Sequence, residues 1–216
     1  MDDIIRLAEA ALKRADALED AGDLDGAVQA MTKAIQLEPN RMKYRARRGR
    51  LLSMQENWQA AIRDFDSVLA VKESAPSILY SRGRARFMSA EFDGALADLE
   101  RCISLDPDAA DAWAIIGDIH RLRRNWEESI SAYERARELE PDKRAELDDL
   151  ILEMKEQIRV LDNGQLEPSL PRTYPSPCRD PEHIRMRDEL HEIQQGRRDA
   201  VVPYQRKRLQ SDDPES

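Results

Sequence analysis

The residues of this sequence best suited to binding chemistry are a set of cationic and aromatic side chains with acidic residues on either side. The set comprises Lys43, Arg47, Arg50, Tyr80, Arg84, Phe87, Met88, Asp118 and Arg121. An arginine can hold a carboxylate through two parallel hydrogen bonds, and an aromatic ring can pack beside a peptide. These residue types indicate recognition of a carboxylate-bearing ligand. The alternative is that they are ordinary solvated charges on a helix surface.

Patterns typical of catalysis or metal binding do not occur in the sequence. There is no phosphate-binding loop, no nucleophile elbow and no Cys/His set at metal-ligand spacing. His120 fits a column of packing residues, whereas His183 and His191 lie eight residues apart, too far to share a metal ion without a third element. We therefore expect a non-enzymatic protein that needs no cofactor and no metal.

Composition narrows the classes of protein further. The net charge of −9 argues against a general nucleic-acid binder, and no run of apolar residues is long enough to insert into a membrane. The acidic start lacks the layout of a secretory signal, and the two cysteines, Cys102 and Cys178, lie in unlike contexts that do not favour a disulfide. We expect a cytoplasmic protein.

A period of 34 residues runs through most of the chain. One column of this repeat is small and another is large and apolar. The small column is Ala15, Gly49, Gly83 and Gly117, and the large column is Met31, Phe65, Leu99 and Tyr133. Self-similarity at such a period is typical of solenoids. A glycine within a helix costs about 1 kcal/mol relative to alanine, and we expect close packing against the large column to offset that cost.

Each copy of the repeat predicts a helical hairpin. Apolar residues fall at helical spacing in two runs separated by a short polar stretch, and prolines 39, 107 and 141 follow three of the second runs. The predicted fold is an all-α, right-handed solenoid of four helix-turn-helix repeats. The repeats cover about residues 8–41, 42–75, 76–109 and 110–143.

The flanks of the repeats predict further elements. The first helix should span residues 2–20, and residues 142–162 should form a capping helix with one apolar side, which completes a repeat domain over residues 1–162. Residues 163–180 are rich in proline and predict an extended linker. Residues 181–216 predict a tail with one short helix, about 181–195, which begins with a proline.

The last copy resembles a tetratricopeptide repeat. The resemblance rests on Trp113, Ile116, Gly117 and His120 in its first run, and on Ser129, Tyr133, Ala136 and Pro141 at and after its second run. It extends over about residues 8–143. The resemblance implies a concave groove lined by the first helix of each repeat, here called the first-helix groove. The binding residues named above would then form its basic and aromatic centre and its acidic flank.

The resemblance also implies a function in protein–protein interaction. We expect an adaptor that binds a protein or peptide partner. Some relatives hold chaperone tails with a clamp of two lysines, two asparagines and an arginine, but the matching positions here are Leu12, Asp16, Arg47, Ser77 and Ser81, or one repeat later Ala46, Arg50, Ser81, Asp111 and Ile115. Neither set supplies that clamp. The alternative is a self-assembling or autoinhibited scaffold whose tail helix occupies its own or a neighbour's groove. Under this alternative the chain could form a homo-oligomer.

Overall fold

Helical hairpins build the part of the chain that the structure, a computed structural model, describes: residues 2–162. Within this range there are no strands, and the α-helices are α1 (Asp2–Asp20), α2 (Leu24–Leu37), α3 (Met42–Met54), α4 (Trp58–Leu69), α5 (Pro76–Met88), α6 (Phe92–Leu105), α7 (Ala110–Leu122), α8 (Trp126–Leu139) and α9 (Arg144–Asp162). Each of the first four pairs is a hairpin, which confirms the predicted all-α solenoid. The predicted linker (163–180), tail (181–216) and tail helix (181–195) lie outside the described residues.

The glycine column lets the two helices of a hairpin approach closely, as predicted. A Cβ atom built on Gly117 would lie 2.6 Å from the ring of Tyr133, which is completely buried. The same Cβ would lie 2.7 Å from the Phe65 ring at Gly49 and 2.9 Å from the Leu99 side chain at Gly83. A side chain at these positions would overlap the large residue of the facing helix. The cost of a helical glycine is therefore offset by packing.

The turn inside each hairpin repeats the same backbone geometry. Its middle residue has a positive φ in all four copies, with values of 79° at Gly22, 57° at Glu56, 61° at Ala90 and 61° at Arg124. A residue with a Cβ atom pays about 1–2 kcal/mol in this left-handed region. The first hairpin meets the requirement with glycine, whereas the other three hold an ordinary residue there under strain.

The last hairpin is covered by α9. Its apolar side chains Leu147, Leu150 and Ile151 are buried in one cluster with Tyr133 and Ala136 of α8. A 3₁₀ turn, Pro141–Lys143, precedes the helix, so that regular α-helix begins at Arg144 within the segment expected to form the cap. The apolar face of α8 is thereby removed from water, which is the role of a terminal cap in a solenoid.

Candidate interaction surfaces

Helix α3 concentrates the positive charge of the repeats. It carries five basic residues and no acidic residue, namely Lys43, Arg45, Arg47, Arg48 and Arg50. Successive residues turn by about 100° around a helix axis. Lys43, Arg47 and Arg50 therefore fall on one face of α3, and Arg45 and Arg48 fall on the opposite face. The helix presents cations on two sides, in a chain whose net charge is −9.

Two of the residues predicted for the first-helix groove are accessible on α3. Lys43 is exposed, and its ammonium group lies 5.3 Å from the centre of the neighbouring Tyr44 ring. Arg50, two turns further along, is also exposed. Tyr80 and Arg84 of α5 are half-buried. Arg84 occupies the position of Arg50 one repeat later, so α3 and α5 place an arginine at equivalent points.

Arg47 is held by the preceding repeat. Its guanidinium group donates to Asp16 at 2.9 Å and to Glu19 at 2.5 Å, both on α1, and its side chain is only 28% exposed. This ion pair joins the first helices of the first two repeats. The partners lie 31 and 28 residues away in the chain. We therefore assign Arg47 a structural role between repeats, where sequence reasoning expected a contact with a partner.

Phe87 and Met88 are not on an accessible surface. They are 3% and 6% exposed, and the Phe87 ring packs at 6.0 Å, centre to centre, against Phe92 of α6. Both lie in the last turn of α5, which leads directly into the tight turn before α6. Because both side chains are buried, the structure places them in the interior of the third hairpin rather than in a groove.

Asp118 and Arg121 form a polar cluster around Tyr133. The Tyr133 hydroxyl donates to Asp118 at 2.7 Å and accepts from Arg121 at 3.1 Å, and Arg121 also donates to Asp118 at 3.2 Å. Burial, and the Asp118 charge beside it, raise the pKa of Tyr133 well above its ordinary value. Asp118 is 4% exposed. Its carboxylate therefore holds the fourth hairpin together, and it is not accessible to a ligand.

Helix α9 reaches this cluster as well. Burial raises the pKa of the Glu153 carboxyl on α9, and the positive charge of Arg121 opposes that rise. A carboxylate from the cap thus lies within electrostatic reach of a residue predicted for the first-helix groove.

A repeated arginine–aspartate pair was missed by sequence reasoning. Arg48 donates from Nε and Nη2 to the two oxygens of Asp64, both at 2.7 Å. One period later Arg82 donates to Asp98 at 2.8 and 2.6 Å. Both aspartates are buried. The sequence did contain the signal, since an arginine is followed 16 residues later by an aspartate in both the second and the third repeat.

The pairs also raise the pKa of both arginines. Hydrogen bonding to Asp64 raises the pKa of Arg48 against the opposing effect of burial. Burial lowers the pKa of Arg82, but hydrogen bonds to Asp98 and Asp66 outweigh it and the net shift is upward. Both guanidinium groups are therefore fixed in their charged form. They join the two helices of a hairpin across its side.

Metal binding, membrane insertion and thiol chemistry have little support within residues 2–162. No group of three or more His, Cys, Asp or Glu residues in that range could hold a metal ion. No helix in that range is long and apolar enough to cross a membrane. Burial raises the pKa of the Cys102 thiol, whose sulfur lies 3.3 Å from the Pro76 carbonyl oxygen. A buried thiol with a raised pKa is a poor nucleophile at neutral pH.

Comparisons with known proteins agree with the period and the hairpins. Family models described as "Tetratricopeptide repeat" match residues 8–41 and 80–143. The fold defines a helical repeat protein of the solenoid class. The chain belongs to the tetratricopeptide repeat family.

Relatives share the repeats over part of their length. Tetratricopeptide repeat protein 13 of Homo sapiens is 29% identical over 50% of this chain and 13% of its own length. Hsc70-interacting protein 1 of Drosophila melanogaster is 34% identical over 41% of this chain and 24% of its own length. The chain thus spans less than a third of either relative. A crystal structure of MamA protein matches 79% of this chain and all of its own, with a TM-score of 0.63 at 22% identity, which shows the shared fold.

Proposed function

We propose that this chain is a non-enzymatic interaction scaffold that binds a segment of a partner protein in the first-helix groove. The observation that carries this proposal is the cationic face of α3, where Lys43 and Arg50 are both exposed on a helix without acidic residues. Repeat solenoids commonly bind partners along their extended inner surfaces. Family membership and local charge therefore favour the same kind of function.

The partner segment should carry carboxylates. Arg50 and Arg84 occupy equivalent positions on α3 and α5. Directly packed helices in proteins lie about 8–10 Å apart. An extended segment can present carboxylates at separations of this order, since each residue spans about 3.3 Å. Tyr80 would then pack beside the backbone of the segment, as aromatic residues commonly do at interfaces.

The partner of the Drosophila relative is not carried over to this chain. That protein is named for Hsc70, but the positions that would form a chaperone-tail clamp here include Leu12, Asp16 and Ser77. Asp16 also accepts a hydrogen bond from Arg47 at 2.9 Å. We propose a different acidic segment as the partner, and a cytoplasmic location stays a prediction.

A double charge reversal tests the proposal. Arg50→Glu combined with Arg84→Glu should abolish capture of partners from the native extract, because both anchors would then repel a carboxylate. The matched control is Lys72→Glu with Arg101→Glu, which changes the net charge equally at two exposed positions outside the first helices. Unchanged capture by the first variant, with both variants folded by circular dichroism, would reject the groove.

The self-assembling or autoinhibited scaffold remains a second prediction from the sequence. It depends on residues 181–195, which lie outside the described range. A chain that ends at residue 163 should lose a dimer in light scattering, or gain affinity for its partner, if that prediction holds.

A further inference from the structure

A cleft lies where the first two hairpins meet. Helices α2, α3 and α4 border an open cleft of about 410 Å³ there. Its charged lining is Arg45, Arg48, Arg63 and Asp64, and its apolar walls include Val28 and Leu52. Arg45 and Arg48 occupy the face of α3 opposite to Lys43 and Arg50. The cleft is therefore a separate place from the first-helix groove.

Positive charge exceeds negative charge in this cleft. Three guanidinium groups line it with a single carboxylate, and that carboxylate is engaged by Arg48 through both of its oxygens. Arg45 comes only within 3.8 Å of Asp64. Arg63 is exposed and has no ion-pair partner among residues 2–162. An anion that entered the cleft would meet Arg45 and Arg63 without competition from a second carboxylate.

The next junction of the solenoid has a different set of residues at the equivalent positions. One period later, Thr32 is replaced by Asp66, Arg45 by Leu79 and Arg63 by Ala97. Two other lining positions gain a cation, since Arg86 replaces Leu52 and Arg101 replaces Ser67. The number of arginines is therefore the same at both junctions, and the first has the larger surplus of positive charge because it lacks the second carboxylate.

The gained carboxylate shows how an arginine of this kind can be neutralised. Arg82, the equivalent of Arg48, donates to Asp66 at 2.6 Å in addition to Asp98. In the first junction the corresponding nitrogen of Arg48 has only the Thr32 hydroxyl, at 3.1 Å. The chain itself thus places a carboxylate at one junction and omits it at the other.

We propose that the cleft between α2, α3 and α4 binds a carboxylate side chain of an acidic protein segment. The carboxylate lies between Arg45 and Arg63, beside Thr32, and accepts from the nitrogen of Arg48 whose equivalent on Arg82 donates to Asp66. An adjacent apolar side chain of the segment contacts the apolar walls. Those walls favour a peptide over a bare inorganic anion, which would leave them unused. This inference rests on the proposed function as an interaction scaffold, but it uses a different face of α3.

The test uses the full chain and a fluorescein-labelled peptide of alternating glutamate and leucine, with a glutamine-for-glutamate peptide as the ligand control. Fluorescence anisotropy should show binding of the first peptide only. Thr32→Asp supplies the missing carboxylate from within and should weaken binding by about tenfold or more. Ser131→Asp, which adds the same charge on an exposed position of α8, should change the affinity by less than about twofold.

A second variant covers the case in which Thr32→Asp fails to fold. Arg45→Gln with Arg63→Gln removes the two cations without adding a group to the cleft and should weaken binding to a similar extent. Binding unaffected by both cleft variants would overturn the inference. So would displacement of the peptide by an equal concentration of inorganic phosphate, which would show a site for phosphate instead.

Failure of this inference is distinguishable from failure of the proposed function. Arg50→Glu with Arg84→Glu should retain the peptide in the cleft, because Arg50 lies on the other side of α3 and Arg84 lies on α5. Loss of peptide binding in that variant, with the Thr32→Asp protein binding normally, would assign the peptide to the first-helix groove. That result would overturn the cleft and support the groove.

Discussion

The junction between the first and second hairpins and the junction between the second and third hairpins contain the same arginine–aspartate pair. The two junctions differ in net charge. Arg48–Asp64 and Arg82–Asp98 are equivalent pairs with nearly equal distances. At the second junction Asp66 adds another carboxylate, whereas at the first the equivalent residue is Thr32. This one position therefore decides whether the paired arginine gains a second carboxylate within the chain or keeps positive charge that can attract a ligand.

Packing does not differ in the same way between these regions. Gly49 faces Phe65 in the second repeat, and Gly83 faces Leu99 in the third, with almost the same clearance. The apolar contacts that form a hairpin are therefore common to both copies. The difference lies in surface electrostatics, which a solenoid can vary from repeat to repeat without altering its fold.

Removal of the buried aspartates should have the largest effect on stability, and the effect should differ between the two junctions. Asp64→Ala should lower the free energy of unfolding by about 3 kcal/mol, because Arg48 and Arg45 would keep no carboxylate partner in the cleft. Asp98→Ala should cost less, about 2 kcal/mol, since Asp66 still contacts Arg82 and Arg86.

Urea denaturation measures both losses. The control is Glu100→Ala, which removes an exposed carboxylate from α6, the helix that carries Asp98, and should change the free energy of unfolding by less than about 0.5 kcal/mol. An equal or smaller loss for Asp64→Ala than for Asp98→Ala would contradict the account.

Filling the glycine positions should affect both repeats alike. Gly49→Ala and Gly83→Ala should each destabilise the protein by about 1–2 kcal/mol, because overpacking outweighs the gain in helix propensity. Gly94→Ala is the control, since a Cβ there would meet only the flexible Arg86 side chain, at 3.1 Å. Thermal unfolding should show similar losses for the first two and none for the third. A loss confined to one repeat would show that their packing is not equivalent.

Substitutions in the turns should change the free energy of unfolding by smaller amounts, with opposite signs for the two variants. Ala90→Gly relieves a left-handed residue with a Cβ atom, at φ 61°, and should stabilise the protein by about 0.5–1 kcal/mol. Gly22→Ala is the reverse change at the equivalent turn, where open space surrounds the position. It should destabilise by about 1 kcal/mol. Denaturation midpoints that move in the same direction for both variants would disprove the strain.

The sequence was sufficient for the hairpins because their determinants recur. The period of 34 predicts that Gly117 packs against the large column that contains Tyr133, and the structure confirms that packing. The arginine–aspartate pair recurs as well and could have been found in the same way. Burial was harder to predict at positions where the residue type changes from one repeat to the next. Phe87, for example, aligns with Ser53 and Arg121, so periodicity alone gave no reason to bury it.

Contacts between repeats also could not be predicted from the sequence pattern. Arg47 reads as an exposed cation on α3, but its carboxylate partners are on α1, and their approach depends on how two hairpins stack. Spacing within one helix carries no information on that stacking. The accessible part of the predicted groove is consequently smaller than expected, and the cleft on the opposite face of α3 emerges only when three helices are brought together.

The most direct measurement is a reciprocal exchange of the two equivalent residues, Thr32 and Asp66. Thr32→Asp should raise the free energy of unfolding by about 0.5–1 kcal/mol, because it gives Arg48 and Arg45 a partly exposed partner. Asp66→Thr should lower it by a similar amount, and added salt should shrink both changes. Opposite signs in urea denaturation would confirm surplus positive charge at the first junction. Destabilisation by Thr32→Asp, or no effect of either exchange, would contradict it.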